Sequence, residues 1–208
     1  MGKMWHIVAS LFIFYSISIA SVPDKCDGFL EKPVEGSYIV CENSILAPLK
    51  QGEEFSIIAD NEKFKIFLSL LEKRNEYAVR LGFVLFRVSD GAKAEDLAIS
   101  IGKLVNYNPE LLLSLFVEEK YSDEDIKFVL LILGDKYVDN FSMQRKEVIN
   151  RINILKNIKN EKLSDIKAKC IRFLSEEEKE LSPNIIEEEK NKKGEQNGLK
   201  KKKLFWFF

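Results

Sequence analysis

Apolar residues between about positions 60 and 175 recur at the three- and four-residue spacing that is typical of amphipathic helices. The first such run follows Asn61 and contains Phe64, Ile66, Phe67, Leu70 and Leu71. The next run, residues 77–86, is apolar almost all round, which indicates a helix buried on most of its sides. The pattern predicts an all-α protein, either stacked helical hairpins in a HEAT- or armadillo-like α-solenoid or an irregular helical bundle.

Residues that favour helix starts divide this region into segments. Asn108 can cap a helix whose first position is Pro109, with Glu110 near the positive end of the helix dipole. Ser122 opens a further run with Asp125 at the third helical position, a variant of the capping box. Ser142 and Ser164 are predicted to open the last two helices.

Weak internal repeats accompany these segments. Leu68-Ser69-Leu70 recurs as Leu113-Ser114-Leu115, Val79-Arg80 corresponds to Ile126-Lys127, and Asp125-Ile126-Lys127 recurs as Asp165-Ile166-Lys167. Spacings of roughly 40–47 residues are the length of HEAT and armadillo hairpins, which bury their apolar faces by stacking. The repeats favour the α-solenoid, although any series of buried helices can show echoes of this kind.

The amino terminus has the three parts of a secretory signal. Lys3 precedes an uncharged apolar run, residues 7–19, and the small residues Ser18 and Ala20 flank Ile19 at the expected cleavage site. The run is short for a membrane span, which needs about 20 apolar residues. We therefore expect residues 1–20 to be a signal peptide and the mature protein to be secreted or periplasmic, with an uncleaved anchor as the alternative.

The remaining chain divides by composition. The predicted parts are an amino-terminal cap at 21–60, the helical-hairpin domain at 61–175 and a charged tail at 176–208. Within the cap, residues 38–41 and 55–58 are expected to form either short strands or pieces of helix. The tail is too polar to offset the entropy of ordering, so we expect a disordered segment or a frayed helix.

The tail ends in a basic and aromatic patch that contradicts its polar character. The patch comprises Lys200, Lys201, Lys202, Lys203, Phe205, Trp206, Phe207 and Phe208. Lysines attract anionic headgroups and aromatic side chains favour the membrane interface. The patch is thus predicted to contact a membrane weakly or to contact a partner. The alternatives are packing of the tail on the protein and an incidental extension of the reading frame.

Charge and histidine content exclude several functional classes. The 208 residues include 32 basic and 33 acidic ones, a balance that does not favour nucleic-acid binding. The one histidine, His6, lies within the predicted leader. A mature chain without histidine cannot use a Ser-His or Cys-His nucleophile pair, or a zinc site built on histidines.

No metal or cofactor site is predicted. The acidic run at 118–125 lacks the ligand spacing of a calcium loop and is explained by helix capping and the helix dipole. Glycine-rich phosphate-binding loops are also missing from the sequence.

The three cysteines give evidence about the cellular compartment of the protein. An oxidising environment favours a disulfide, and Cys26 with Cys41 is the expected pair because it closes a short loop. Cys170 lies in a helical stretch where a small buried thiol is ordinary, and pairing through Cys170 is the alternative.

These observations predict an exported, non-enzymatic binding or scaffold protein whose partner is a protein or another component of the cell envelope. The alternatives are a secreted hydrolase that uses carboxylates on cell-envelope glycans, and a membrane-associated effector or inhibitor. Residues 140–142 form a glycosylation sequon, which is usable if the exporting cell is eukaryotic.

Overall fold

The computed structural model describes residues 25–46 and 56–205, and the regular elements of these ranges are all helical. The helices are α1 (Asp27–Glu31), α2 (Glu35–Leu46), α3 (Ser56–Ala59), α4 (Asn61–Glu72), α5 (Glu76–Val88), α6 (Gly91–Gly102), α7 (Pro109–Glu118), α8 (Asp123–Leu131), α9 (Phe141–Lys156) and α10 (Ser164–Phe205). Short 3-10 turns at Lys103–Asn106, Asp135–Tyr137 and Glu161–Leu163 connect some of them. The all-α prediction is confirmed.

One continuous apolar core extends from Phe29 in α1 to Leu181 in α10. Helix α5 crosses its centre and buries every residue from Leu81 to Phe86, which confirms the expectation from its nearly unbroken apolar run. Because Gly82 has no side chain, Leu71 of α4 can pack against the α5 backbone.

Most helices pack on partners that are near them in the chain, as stacked hairpins do. Helix α5 packs on α2, α4 and α6, α4 also packs on α6, and α6 packs on α8. The carboxy-terminal helix departs from this order, because α10 packs on α7 and α8 as well as along α9.

The α4–α5 and α7–α8 hairpins share one turn geometry. Helix α4 is followed by Arg74 at φ 62° and α7 by Lys120 at φ 52°, both in the left-handed region. The next residue donates its N–H to a carbonyl five positions earlier, from Asn75 to Leu70 at 3.2 Å and from Tyr121 to Phe116 at 3.1 Å. This is the Schellman arrangement that ends many helices. The two hairpins therefore turn alike at a spacing of 46 residues, one more than the 45-residue spacing of the sequence echo between 68–70 and 113–115.

The described parts of the predicted cap, 21–60, are helical. Residues 38–41 lie in α2 and residues 56–58 in α3, so the helical alternative holds and the strand alternative is wrong for them. The predicted leader, residues 1–20, lies outside the described residues.

The boundary predicted at residue 175 falls within a helix. Helix α10 continues across it, and its backbone is helical as far as Phe205. Leu174 and Leu181, seven positions apart on one helical face, are both buried, and Glu178 between them accepts a hydrogen bond from Arg145 at 2.6 Å. The first part of the predicted tail is thus packed on the body, because its few apolar residues have helical spacing.

Within the described ranges, no helix combines the length and the apolar character that crossing a membrane requires.

Replacing Gly102 with alanine is expected to lower the free energy of unfolding by about 2 kcal/mol. A Cβ atom at this position would lie 2.4 Å from the carbonyl oxygen of Val129 and 3.3 Å from Nη1 of Arg151. The backbones of α6 and α8 would have to separate, because a carbonyl oxygen cannot rotate away as a flexible side chain can. Urea unfolding measures the effect as a lower midpoint.

Gly36→Ala is the matched control, since nothing lies within 4 Å of a Cβ at that position in α2. It should leave the urea midpoint unchanged or raise it slightly, because alanine favours helix. Equal midpoints for the two alanine variants would contradict the close approach of α6 to α8.

Candidate functional site

The predicted disulfide between Cys26 and Cys41 is present. Its sulfurs are 2.01 Å apart, the two Cα atoms are 4.5 Å apart, and both cysteines are buried. It joins the residue that precedes α1 to the middle of α2. Cys170 is a free cysteine buried in α10, where burial raises the pKa of its thiol to about 12.

Further contacts fix α2 on the body. The ring of Tyr38 packs against Tyr77 of α5 with centroids 5.8 Å apart, and its hydroxyl donates to Glu42 at 2.5 Å. Burial and this hydrogen bond raise the pKa of the Tyr38 hydroxyl. Just before α2, the carbonyl of Pro33 accepts a hydrogen bond from Asn75 at 3.2 Å.

The opposite face of α2 carries large apolar side chains into solvent. Val40 is 51% exposed and Leu46 is 63% exposed, and Ile39 is also exposed. Ile39 and Leu46 are seven positions apart and therefore lie on one helical face, with Val40 beside them. These three residues, Ile39, Val40 and Leu46, are called the α2 stripe below.

The other exposed apolar side chains of the described residues come from several different elements. They are Val34 before α2, Ile66 in α4, Val88 at the end of α5, Val117 in α7, Phe128 in α8, Val138 before α9 and Met143 in α9. Single exposed apolar residues are normal on protein surfaces, whereas a contiguous group often marks an interaction site. The α2 stripe is therefore the primary candidate site.

A groove of about 280 Å³ lies between α6, the loop after α8, and α10. Three carboxylates contribute to its lining, Glu95, Asp135 and Glu177, beside Tyr137 and several aliphatic residues. Burial, and then the negative charge of Glu180, raise the pKa of the Glu177 carboxyl. Carboxyls with different environments can divide the roles of acid and base, so the groove has the residue types that hydrolysis needs.

Among the described residues, no three histidine, cysteine, aspartate or glutamate side chains come close enough together to hold a metal ion.

A polar network centred on the buried Arg151 joins α8, α9 and the 3-10 turn that follows α6. Arg151 donates from Nη1 to the carbonyl of Leu130 at 2.8 Å and from Nε to Glu147 at 3.0 Å. Glu147 also accepts from Asn106 at 3.1 Å, and Asn150 donates to Asn106 at 3.0 Å. Arg151 is only 3% exposed, so its guanidinium holds α8 to α9 and is not open to a ligand. Asn106 and Asn150 lie at the exposed edge of the network.

The predicted membrane or partner contact at the carboxy terminus stays a prediction. Lys200–Lys203 and Phe205 lie in the helical backbone of α10, and residues 206–208 are outside the described part of the chain. The sequence did not single out the α2 stripe. A signal was present, because Cys41 and Ile45 have helical spacing and place residues 39, 40 and 46 on the other side.

Comparison of the chain with protein-family models, with curated protein sequences and with solved structures finds no match. Function is therefore inferred from the α2 stripe, the groove and their surroundings.

Proposed function

We propose that this protein acts outside the cytoplasm as a non-enzymatic binding or scaffold protein, and that another protein docks on the α2 stripe. The observation that carries the proposal is the two-sided character of α2. One face is fixed to the body by a disulfide and by Tyr38, while the other presents Ile39, Val40 and Leu46 to solvent.

The chemistry of α2 favours a protein partner over a membrane or a glycan. The helix contains Glu35 and Glu42 and no lysine or arginine, whereas surface helices that bind anionic membranes carry basic residues beside their apolar face. A polar glycan would leave the aliphatic side chains without apolar partners. Burying an aliphatic side chain fully contributes about 1.5–3 kcal/mol, so an apolar patch on another protein is the favourable occupant.

Export is supported by the disulfide, since such bonds persist in oxidising compartments. The predicted leader at 1–20 supports the same location.

Photo-crosslinking in the source cells tests the proposal. A photoreactive residue at position 40 should form one dominant complex with another protein, identified by mass spectrometry. Adding Leu46→Lys should reduce this complex at least tenfold, because a charge in the centre of an apolar interface is poorly accommodated.

Val117→Lys is the matched control, since Val117 in α7 is 53% exposed and Leu46 is 63% exposed. Neither lysine should change stability by more than about 0.5 kcal/mol, because both sites are on the surface. The proposal is overturned if both lysine variants give the same crosslinks as the parent chain, or if the crosslinked species is only a second copy of the protein.

A second candidate function, carboxylate-dependent hydrolysis of cell-envelope glycans, is favoured by the groove alone. Its three carboxylates include Glu177, whose raised pKa suits a general acid. Glu177→Gln should then abolish glycan hydrolysis while Glu178→Gln does not, because Glu178 is paired with Arg145 and does not line the groove. No turnover of envelope glycans by the parent chain would exclude this candidate.

A further inference from the structure

Residues 140–142, Asn-Phe-Ser, lie where the loop after α8 meets the first turn of α9. They form the only Asn-x-Ser/Thr sequence in the chain, and the middle residue is not proline. Asn140 is the N-cap of α9, immediately before its first helical residue, Phe141. The sequon is thus held at a defined place on the surface and not inside a helix.

The oxygen and the nitrogen of the Asn140 side-chain amide have different environments. Oδ1 accepts a hydrogen bond from the backbone N–H of Met143 at 3.0 Å. Nδ2 makes no hydrogen bond within the described part of the chain and is not among its buried polar atoms. A substituent on Nδ2 leaves the carbonyl oxygen in place, so the cap is compatible with modification.

The surroundings of Asn140 leave room for a bulky group. Asp135, Lys136 and Asp139 are exposed, and Asp139 turns the chain at φ 58° directly before the asparagine. Two exposed apolar side chains, Val138 and Met143, flank the site. A sugar on Asn140 would cover both of them.

We propose that Asn140 is the acceptor of an N-linked glycan, which the chain receives in a eukaryotic secretory pathway. The donor class is an oligosaccharide linked through diphosphate to a lipid. Nδ2 of Asn140 forms a bond to the anomeric carbon of the first sugar. The bond from that carbon to the diphosphate oxygen breaks, its electron pair leaves with the lipid diphosphate, and one Nδ2 proton passes to a base of the transferase. No atom changes its oxidation state overall, so no redox partner is needed.

The inference depends on export and not on the α2 stripe. The Cys26–Cys41 disulfide and the predicted leader both point to the oxidising compartment in which such transfer takes place.

The first experiment uses the full chain purified from its own source cells. Trypsin cuts after Lys136 and Arg145, so residues 137–145 form one peptide that contains the sequon. This peptide should appear as a glycopeptide, and peptide N-glycosidase should convert it to the free peptide with aspartate at 140. A peptide that is fully unmodified before enzyme treatment overturns the proposal.

The second experiment distinguishes the loss of the glycan from the loss of the N-cap of α9. The chain is expressed with residues 1–20 in a eukaryotic secretory cell, as the parent and as Ser142→Thr, Ser142→Ala and Asn140→Asp. The parent and Ser142→Thr should carry the glycan, while Ser142→Ala and Asn140→Asp should not. Ser142→Ala retains the Asn140 cap and Asn140→Asp retains an acceptor oxygen, so both should fold.

An unmodified parent chain overturns the proposal, whether the chain enters the secretory pathway or stays in the cytosol, because its own leader must bring it to the transferase. Equal occupancy of the parent and Ser142→Ala also overturns it, since recognition would then not depend on the sequon.

Discussion

Arg151→Ala is expected to lower the free energy of unfolding by about 3–5 kcal/mol, the usual cost of removing one partner from a buried ion pair. The guanidinium occupies a position that no other group of the network can fill. Its Nη1 donates to Leu130 O, one of the last carbonyls of α8, which have no partner within the helix. The positive charge also suits the negative end of the α8 dipole. Alanine would leave this carbonyl without a donor and Glu147 without its positively charged partner, and urea unfolding would show a lower midpoint.

Arg87→Ala is the control for this prediction. Arg87 is also paired with a glutamate, Glu119 at 3.2 Å, but it is 50% exposed. Exposed pairs contribute about 0–1 kcal/mol, so this variant should unfold close to the parent. If the two alanine variants have equal stability, the Arg151 network does not hold α8 and α9 together.

The same network predicts how stability depends on pH. Burial raises the pKa of Glu147, but the hydrogen bonds from Asn106 and Arg151 outweigh it, so the pKa is lowered overall. A carboxyl whose pKa is lowered by folding stabilises the protein at pH values above its ordinary pKa, about 4.3. This stabilisation is lost as the pH falls through the pKa of the folded state. Glu147→Gln should therefore lose less stability than the parent between pH 7 and strongly acidic pH. If Glu147→Gln loses as much stability on acidification as the parent, Glu147 is not the source of this pH dependence.

Short-range features of this fold were predictable from sequence because they depend on neighbouring residues. Asn108 accepts from Leu111 N at 3.2 Å and Ser122 from Asp125 N at 3.1 Å, as their positions predicted. The predicted helix start at Ser142 is displaced, because Asn140 is the cap of α9 and Ser142 lies within its first turn. Asparagine and serine both favour the N-cap position, and the sequence pattern alone did not decide between Asn140 and Ser142.

Features that depend on distant partners were not predictable in this way. Helix α9 is rich in charged and amide residues, so nothing in its sequence distinguishes the buried Arg151 from exposed arginines. Its burial depends on Leu130, which is 21 positions earlier, and on the close approach that Gly102 permits. The α2 stripe was missed for a related reason. Which face of α2 remains exposed depends on its packing against α5, and the segment's apolar pattern did not distinguish a strand from a helix.

Removing the disulfide by the double change Cys26→Ala and Cys41→Ala is expected to lower the free energy of unfolding by about 3 kcal/mol. The two cysteines are separated by 15 positions, and closing a loop of that length reduces the freedom of the unfolded chain by about this amount. Thermal unfolding with and without reductant measures it. The parent should lose stability in reductant, whereas the double variant should not respond.

Cys170→Ala is the control, because Cys170 is a free thiol and its removal should leave the response to reductant intact. A loss of that response would show that Cys170 takes part in the bond.

The disulfide also links stability to the proposed function, since it connects α2 to the residue that precedes α1. If the bond holds the α2 stripe in its binding orientation, reductant should weaken crosslinking at position 40 even at temperatures where the rest of the fold is intact. Crosslinking that persists unchanged in reductant would mean that the contacts of Tyr38 and Pro33 alone are enough to orient α2.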